Sequence, residues 1–381
     1  RRGMQQGDPL GPALFGMGIQ GVIEKATSRT RDRYGEDALD LANFFLDDGV
    51  VAGQAEAVAW WLQEIENGLK EVGLALCREK CIMVPAAKGK DHEQKIKLFQ
   101  GMEWRPEGNF KLLGAYFGGE EECNQHLRKR CGKANQIIQQ LARMEDTQTA
   151  LLLLRHCAGF CKITYSCRTV PPHLQKEALA EYSGQIREGL KEILQNEVDE
   201  RGWAQAQLGI IGGGLGLRDP MKHAPAAYVA SIMGTEGKCK EMDKGYEGKG
   251  AREDSRVWQD LKKSVLPEAT MEGPKGKGAQ KHLSGLIDAK LREGLEAGPG
   301  ADAAFKLHMY WTRQPGAGAW LTAPPAEDGR AMAPDLFRTA VARRLRQKIV
   351  LTEDWCPFCG EIMDAVSYTP PTLPTKRMHN T

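Results

Sequence analysis

No stretch of this chain approaches the ~20 consecutive apolar residues that a membrane-spanning helix needs, so a soluble protein with no membrane partner is expected. Charge of one sign is also lacking: the formal net charge is +2 over 381 residues, and bulk electrostatics announce no polyanion partner. There is no secretory segment, and the 10 cysteines are scattered rather than arranged as a disulfide framework. Together these imply a reducing, intracellular compartment. Cys157, Cys161 and Cys167 lie among apolar neighbours and read as core or near-core thiols. No internal repeat is present. The glycine cluster GGGLGL, Gly212 to Leu217, lacks the preceding strand and acidic partner of a dinucleotide-binding fingerprint. No initiator methionine precedes the opening RRGMQQGDPL, and a truncated N-terminus is expected.

What is present suits a globular protein of two or three domains, with 41% hydrophobic residues. Apolar spacing predicts a helix from about Leu10 to Ala26. LDLANFFL and GVVAG then flank Asp47 and Asp48, a β-hairpin pattern with DDG at the turn. From Gln54 to Val72, the residues Val58, Trp61, Leu62, Ile65, Leu69 and Val72 share one helical face. A short strand is expected at Cys81–Val84, and RPEGN suggests a further hairpin between Lys95 and Gly118. After Gly119 the pattern turns helical, with segments at 120–144, 147–170, 173–198 and 220–233. Gly/Lys/Glu-rich stretches at 235–250 and 273–280 read as linker. A charged helix is expected at 286–297. A basic helix comes later, at 335–349, with Leu336, Phe337, Val341, Leu345 and Ile349 inward. The expected divisions are 1–118, 119–234, 235–285, 286–365 and 366–381.

FFLDDGVV, Phe44 to Val51, sets two adjacent acids inside an apolar run. Burying unpaired carboxylates is costly, so a partner is expected. A divalent cation is one: Mg²⁺ takes oxygen ligands and usually binds through one or two carboxylates plus substrate phosphates. A bare acidic pair is more often a solvated turn. The upstream loop QQGDPLGPALF, Gln5 to Phe15, adds weight, because its glycines and prolines shape a surface that can lie against a substrate base or sugar. Basic residues cluster in RKRCGK, Arg128 to Lys133, and ARRLRQK, Ala342 to Lys348; each is either a solvated helix face or a nucleic-acid contact.

QQGDPLGPALF and, downstream, FFLDDG resemble motifs B and C of reverse transcriptases, especially those of LINE-like, non-LTR retrotransposons. GLALCREKCIMV, Gly73 to Val84, looks like motif D, and LLGAYFGG, Leu112 to Gly119, looks like the hairpin that grips the primer. Viral RNA-directed RNA polymerases share the acidic hairpin but have a different motif B. An intron maturase is the nearest rival among polymerases. The segments LLLLRHCAGFCKITYSCRTVPP and GGGLGLRDPMKHAPAAYVAS are similar in texture to the region after the palm in large retroelement families.

The resemblance implies an incomplete right-hand polymerase: an α+β palm of antiparallel hairpins packed on helices, an all-α thumb, and a partly disordered C-terminal region. It implies that Asp47 is a Mg²⁺ ligand and Asp48 the second acid, with Leu46 a tolerated variant before them. Gln6, Gly7 and Pro9 match the template-contacting loop, Lys80 the residue that protonates pyrophosphate, and Leu113 and Gly114 the primer-gripping turn. The implied partners are an RNA template, a DNA primer, dNTPs and an RNA–DNA hybrid on the thumb, in the nucleus of a eukaryotic host. Motif A, which supplies a third metal-binding Asp, has no counterpart in this sequence, so no polymerase activity is expected of the chain alone. A non-catalytic nucleic-acid-binding remnant of a decayed element is the alternative. Cys356 and Cys359 form half of a zinc site, with His379 the only later candidate and no fourth ligand. His156 and His223 are expected to be structural. Residues from Val366 onward, including TLPTK, do not continue the family pattern and are expected to be non-native.

Overall fold

Helix α1 (Gly11–Tyr34) starts where Pro12 fits the first turn and runs eight residues beyond the expected Ala26. The Asp8 carboxylate accepts the Leu10 N–H at 2.8 Å and shapes the entry. Thr30 is accommodated in the interior because its hydroxyl donates back to the Ala26 carbonyl at 2.7 Å. Arg31 and Arg33 face the negative end of the helix dipole, and Gly35 ends the helix at φ 98°. These positions belong to a computed structural model that describes residues 7–85, 95–243, 245–247, 255–264, 278–325 and 331–348. Gln6, Ile349, Cys356, Cys359, His379 and the tail from Val366 lie outside the described residues.

Strands β1 (Leu39–Phe45) and β2 (Asp48–Gly53) form an antiparallel hairpin in which Phe45 pairs with Asp48. The connecting turn is therefore Leu46–Asp47 rather than the expected DDG. Helix α2 (Ala55–Glu71) packs on α1 and on the hairpin, with Trp61, Leu62 and Ile65 buried. The Trp61 indole donates to the Thr27 hydroxyl at 3.1 Å and ties the two helices together. Val72, expected on the inner face, is exposed at the C-cap.

The RPEGN segment does not close a hairpin. Strand β3 (Ile82–Met83) pairs in parallel with β4 (Glu103–Trp104), and the hairpin consists of β5 (Phe110–Leu112) and β6 (Ala115–Phe117). β4 finds its partner upstream: the Glu103 and Arg105 amides each donate at 2.9 Å, to the carbonyls of Cys81 and Met83.

The helical part begins with α3 (Glu120–Ala142), which lies along α6 (Lys176–Leu194). Buried Asn124 joins them, accepting the Ala178 N–H at 2.9 Å while donating to Glu120 at 3.0 Å. The expected single helix over 147–170 is instead α4 (Thr147–Leu153), a π-helical stretch (Leu154–Ala158), a 3₁₀ turn (Phe160–Lys162) and α5 (Thr164–Thr169). The break falls at Gly159, where a Cβ would stand 2.9 Å from the Leu154 carbonyl oxygen. The Tyr182 hydroxyl takes the freed Ala158 carbonyl. This bend turns Cys157 and Cys161 outward; of the three thiols expected inside, Cys167 alone is buried.

Helices α7 (Glu200–Gln207) and α8 (Pro220–Met242) come after α6. The span expected as linker, 235–285, is partly helical: α8 continues to Met242, and α9 (Arg256–Ser264) buries Val257, Trp258 and Leu261 beside α8. α10 (Ala279–Ala297) and α11 (Ala303–Thr312) come next. α12 (Pro334–Arg344) returns to the main helical core, with Phe337, Val341 and Leu345 joining Leu127, Ile138, Tyr182 and Leu190. Leu336, expected inward, is exposed.

Candidate functional site

Asp47 and Asp48 stand at the tip of β1–β2, and both are exposed. The burial cost that made the pair puzzling is absent, because the apolar run is interrupted where it turns in solvent. Neither carboxylate has a hydrogen bond or ion pair among the described residues. Leu46, immediately before them, holds φ 58°. Behind the tip, the Phe44 ring crosses the backbone of β2: a Cβ on Gly49 would lie 2.2 Å from it. Phe44 in turn stacks on Trp61 with centroids 5.9 Å apart. One aromatic contact thus fixes the acid-bearing hairpin to α2.

The donor set is two carboxylates with no competing cation, which fits a hard divalent ion needing further oxygens from a ligand. Among the described residues, no group of three His, Cys, Asp or Glu side chains is placed to hold a metal.

The other candidate residues lie on other elements. Gly7 has φ 95° and, like Pro9, is exposed ahead of α1. Lys80 is exposed on a 3₁₀ turn (Arg78–Lys80). That turn is clamped to α2 because Arg78 donates to both carboxylate oxygens of Glu66, at 2.5 and 2.9 Å, and to the Gln100 carbonyl at 3.1 Å. The guanidinium hydrogen bond holds the Glu66 carboxyl below its ordinary pKa. Leu113 and Gly114 form the β5–β6 turn at φ 48° and 82°. No hydrogen bond or ion pair among the described residues joins the acidic tip to Lys80 or to this turn.

Residues that hold the β5–β6 turn give no signal in the sequence. The Tyr165 hydroxyl donates to the Leu113 carbonyl at 2.5 Å. His126 stacks on Tyr116 at 4.9 Å, and burial, with the positive charge of Arg130 and Lys111 as the lesser cause, pushes its pKa down. The spacing of α5 and α3 reveals neither contact, because each partner lies on another element. His223 is buried as a structural residue, with its pKa lowered to about 3 by burial, whereas His156 is exposed.

Each basic cluster has arginines that the fold itself occupies. Arg128 pairs with Glu177 and Glu181, at 2.9 and 2.7 Å. Arg130 donates to the Ser166 hydroxyl at 2.9 Å. Arg344 is buried and donates to the carbonyls of Gly214, Ala317, Ile210 and Thr312. It is an interior brace, and burial lowers its pKa to about 10.

No helix among the described residues is long and apolar enough to cross a membrane. No family model matches the chain. Over 100 residues the chain is 34% identical to the retrovirus-related Pol polyprotein from type-1 retrotransposable element R2 of Nasonia vitripennis. That match covers 26% of this chain and 9% of the polyprotein. The chain is thus similar in part to a retrotransposon Pol polyprotein and spans a small fraction of its length.

Proposed function

We propose that the chain derives from the reverse transcriptase of a non-LTR retrotransposon and contributes part of its nucleotidyl-transfer site. The observation that carries this is the pair Asp47–Asp48, unpaired at a braced hairpin tip, downstream of a shaped Gly7–Pro9 loop and its helix. The local similarity to a retrotransposon Pol polyprotein supports the same origin. In this reading Asp47 and Asp48 would hold Mg²⁺, with the remaining oxygens coming from an incoming nucleotide. The ion would neutralise charge developing on the transferred phosphoryl group.

The protein's own part is to hold the two carboxylates still, through Phe44 on Trp61 and the packing of α1 on α2. Gly7 and Pro9 line the approach to the template–nucleotide pair. Lys80, steadied by the Arg78–Glu66 clamp, donates a proton to departing pyrophosphate. Leu113–Gly114, held by Tyr165, contacts the primer. The helical part holds the RNA–DNA hybrid, and in a eukaryotic host the site of action is the nucleus.

Asp47→Ala in the full-length parent should abolish primer extension on an RNA template while leaving template–primer affinity within about twofold. Undiminished extension would remove Asp47 from the site. The chain alone, with two acids and no third beside them among the described residues, should give no extension. If the parent with both acids intact also gives none and yet binds duplex, the non-catalytic remnant is the better reading. Intron splicing by the parent would favour a maturase.

A further inference from the structure

A cleft of about 1210 Å³ opens on the helical part, between the π-helical bend, the 209–218 loop, α10 and the segment after α11. That is ample for a small organic ligand. Its lining includes Arg155, Arg168, Arg218, Arg292 and Arg313, against the one carboxylate of Asp288. No residue assigned above to nucleotidyl transfer lines it, so the two sites can fail separately.

Two of the arginines are satisfied. Arg168 donates to the Gln280 side-chain oxygen, and Arg313 to the Met309 carbonyl, with Glu296 at 3.4 Å. Three are not. Arg155 donates to the carbonyls of Leu215 and Leu321, at 2.7 and 3.1 Å, yet its remaining terminal nitrogen is buried with no partner. Arg218 and Arg292, both half-buried, make no hydrogen bond or ion pair among the described residues. The three lie in one neighbourhood. Arg218 and Arg292 both act electrostatically on Asp288. The Arg155 side chain lies against Gly216, two residues before Arg218, where a Cβ would stand 3.2 Å from it.

Charge does not balance there. His223, 3.6 Å from the Asp288 carboxylate, is neutral at neutral pH because burial lowers its pKa to about 3. Three guanidinium groups thus share one carboxylate. Burial, with the charge of Arg344 as the lesser cause, lowers the Arg155 pKa to about 10, which still leaves the group charged at neutral pH. A buried cation without a partner is costly. A bound anion carrying at least two charges removes that cost.

The three groups come from three elements: the π-helical bend, the 209–218 loop and α10. A phosphate offers them three accepting oxygens, where a carboxylate offers two. The amides of Gly213, Gly214, Leu215 and Gly216 all donate inward, to the carbonyls of Ile210, Gly209, Ala206 and Leu208, so guanidinium groups are the donors left. Ile211, 90% exposed on the same wall, offers apolar surface to a carbon skeleton. Phe160 is the only Phe, Tyr or Trp among the described lining residues, and it is buried. Successive bases of a strand would have no such ring to stack on, so a compact ligand fits better than a polynucleotide.

We propose that this cleft binds a small organic polyphosphate, with Arg155, Arg218 and Arg292 donating to its phosphate oxygens.

Isothermal titration calorimetry on the whole chain tests this, with myo-inositol hexakisphosphate as the probe. One molecule should bind per chain and raise the thermal midpoint. The double variant Arg218→Gln/Arg292→Gln should weaken binding by roughly tenfold per arginine and lose the rise in midpoint. Asp288→Asn removes the opposing carboxylate and should tighten binding, a change of sign that general loosening of the fold would not produce. Arg128→Gln, outside the cleft, should leave the affinity unchanged; a loss equal to that of the double variant would mean diffuse attraction between charges and overturn the proposal. Citrate and inorganic phosphate should bind at least about tenfold more weakly; equal affinity for either would overturn it. Displacement of the probe by an equimolar 20-nucleotide DNA strand would assign the cleft to a polynucleotide and also overturn it. So would no binding of the probe, or equal affinity in the glutamine variant. If the glutamine variant does not melt cooperatively, Asp288→Asn decides instead: tighter binding supports the cleft, and unchanged binding overturns it.

Discussion

Leu46 occupies a conformation that costs an L-residue about 1–2 kcal/mol, at φ 58° in the two-residue turn Leu46–Asp47. Only the first of the two turn residues has positive φ, the arrangement in which glycine is preferred at that first position. Leu46→Gly should therefore raise the thermal midpoint, and Leu46→Val should lower it through a loss of about 1 kcal/mol or more of stability, since a β-branched residue fits positive φ worst. Differential scanning calorimetry of the two variants checks the sign of each. The turn lies one residue away from the position DDG suggests, because that tripeptide carries the usual glycine signal. Gly49 is there for another reason: it clears the path of the Phe44 ring across the strand. A glycine needed for cross-strand clearance and one needed for backbone angle look identical in a sequence. The acids themselves are legible, since a polar pair interrupting two apolar strands belongs at a tip.

At the level of elements, the amphipathic stripe of α2 is readable because its partners lie on adjacent elements. The parallel pairing of β3 with β4 is not, because two-residue strands carry no alternation and the pairing spans about twenty residues. Nor does any sequence spacing reveal the clamp from Arg78 to Glu66 that fixes the turn bearing Lys80. Because Glu66 titrates below its ordinary 4.5 when folded, the clamp's stability is fully present above that value. It is lost as pH falls through the lower folded pKa. Arg78→Ala should cost about 1 kcal/mol at neutral pH, the partial exposure of both groups screening the rest. The difference from wild type should shrink toward pH 3. Urea titrations at several pH values measure it, and a difference that stays constant with pH would exclude the ion pair as its source. Tyr165→Phe, which deletes the hydroxyl on Leu113, should speed proteolysis within β5–β6 while leaving the global midpoint nearly unchanged.

Across the whole molecule, composition misjudges where the chain is integral. The 235–285 division that reads as linker contains α9, and the basic run ARRLRQK contains the most thoroughly buried arginine described, Arg344. Composition reports average polarity, whereas one arginine that braces four carbonyls needs only a suitable position. Phe337, Val341 and Leu345 each contribute roughly 1.5–3 kcal/mol by burial in a core whose other members begin at Leu127. A chain ending at residue 325 should therefore lose the cooperative melt of its helical part, whereas one ending at 348 should keep it. Circular dichroism melts of the two distinguish these outcomes.

The same closure by α12 sets an order in time on the ribosome. The acidic hairpin and α2 can pack as soon as they emerge, but the helical core waits for Leu345. At about 5–20 residues per second, the interval between Leu127 and Leu345 is roughly ten to forty-five seconds. For that interval the nascent chain carries an open apolar face of some length, an expected client for chaperones.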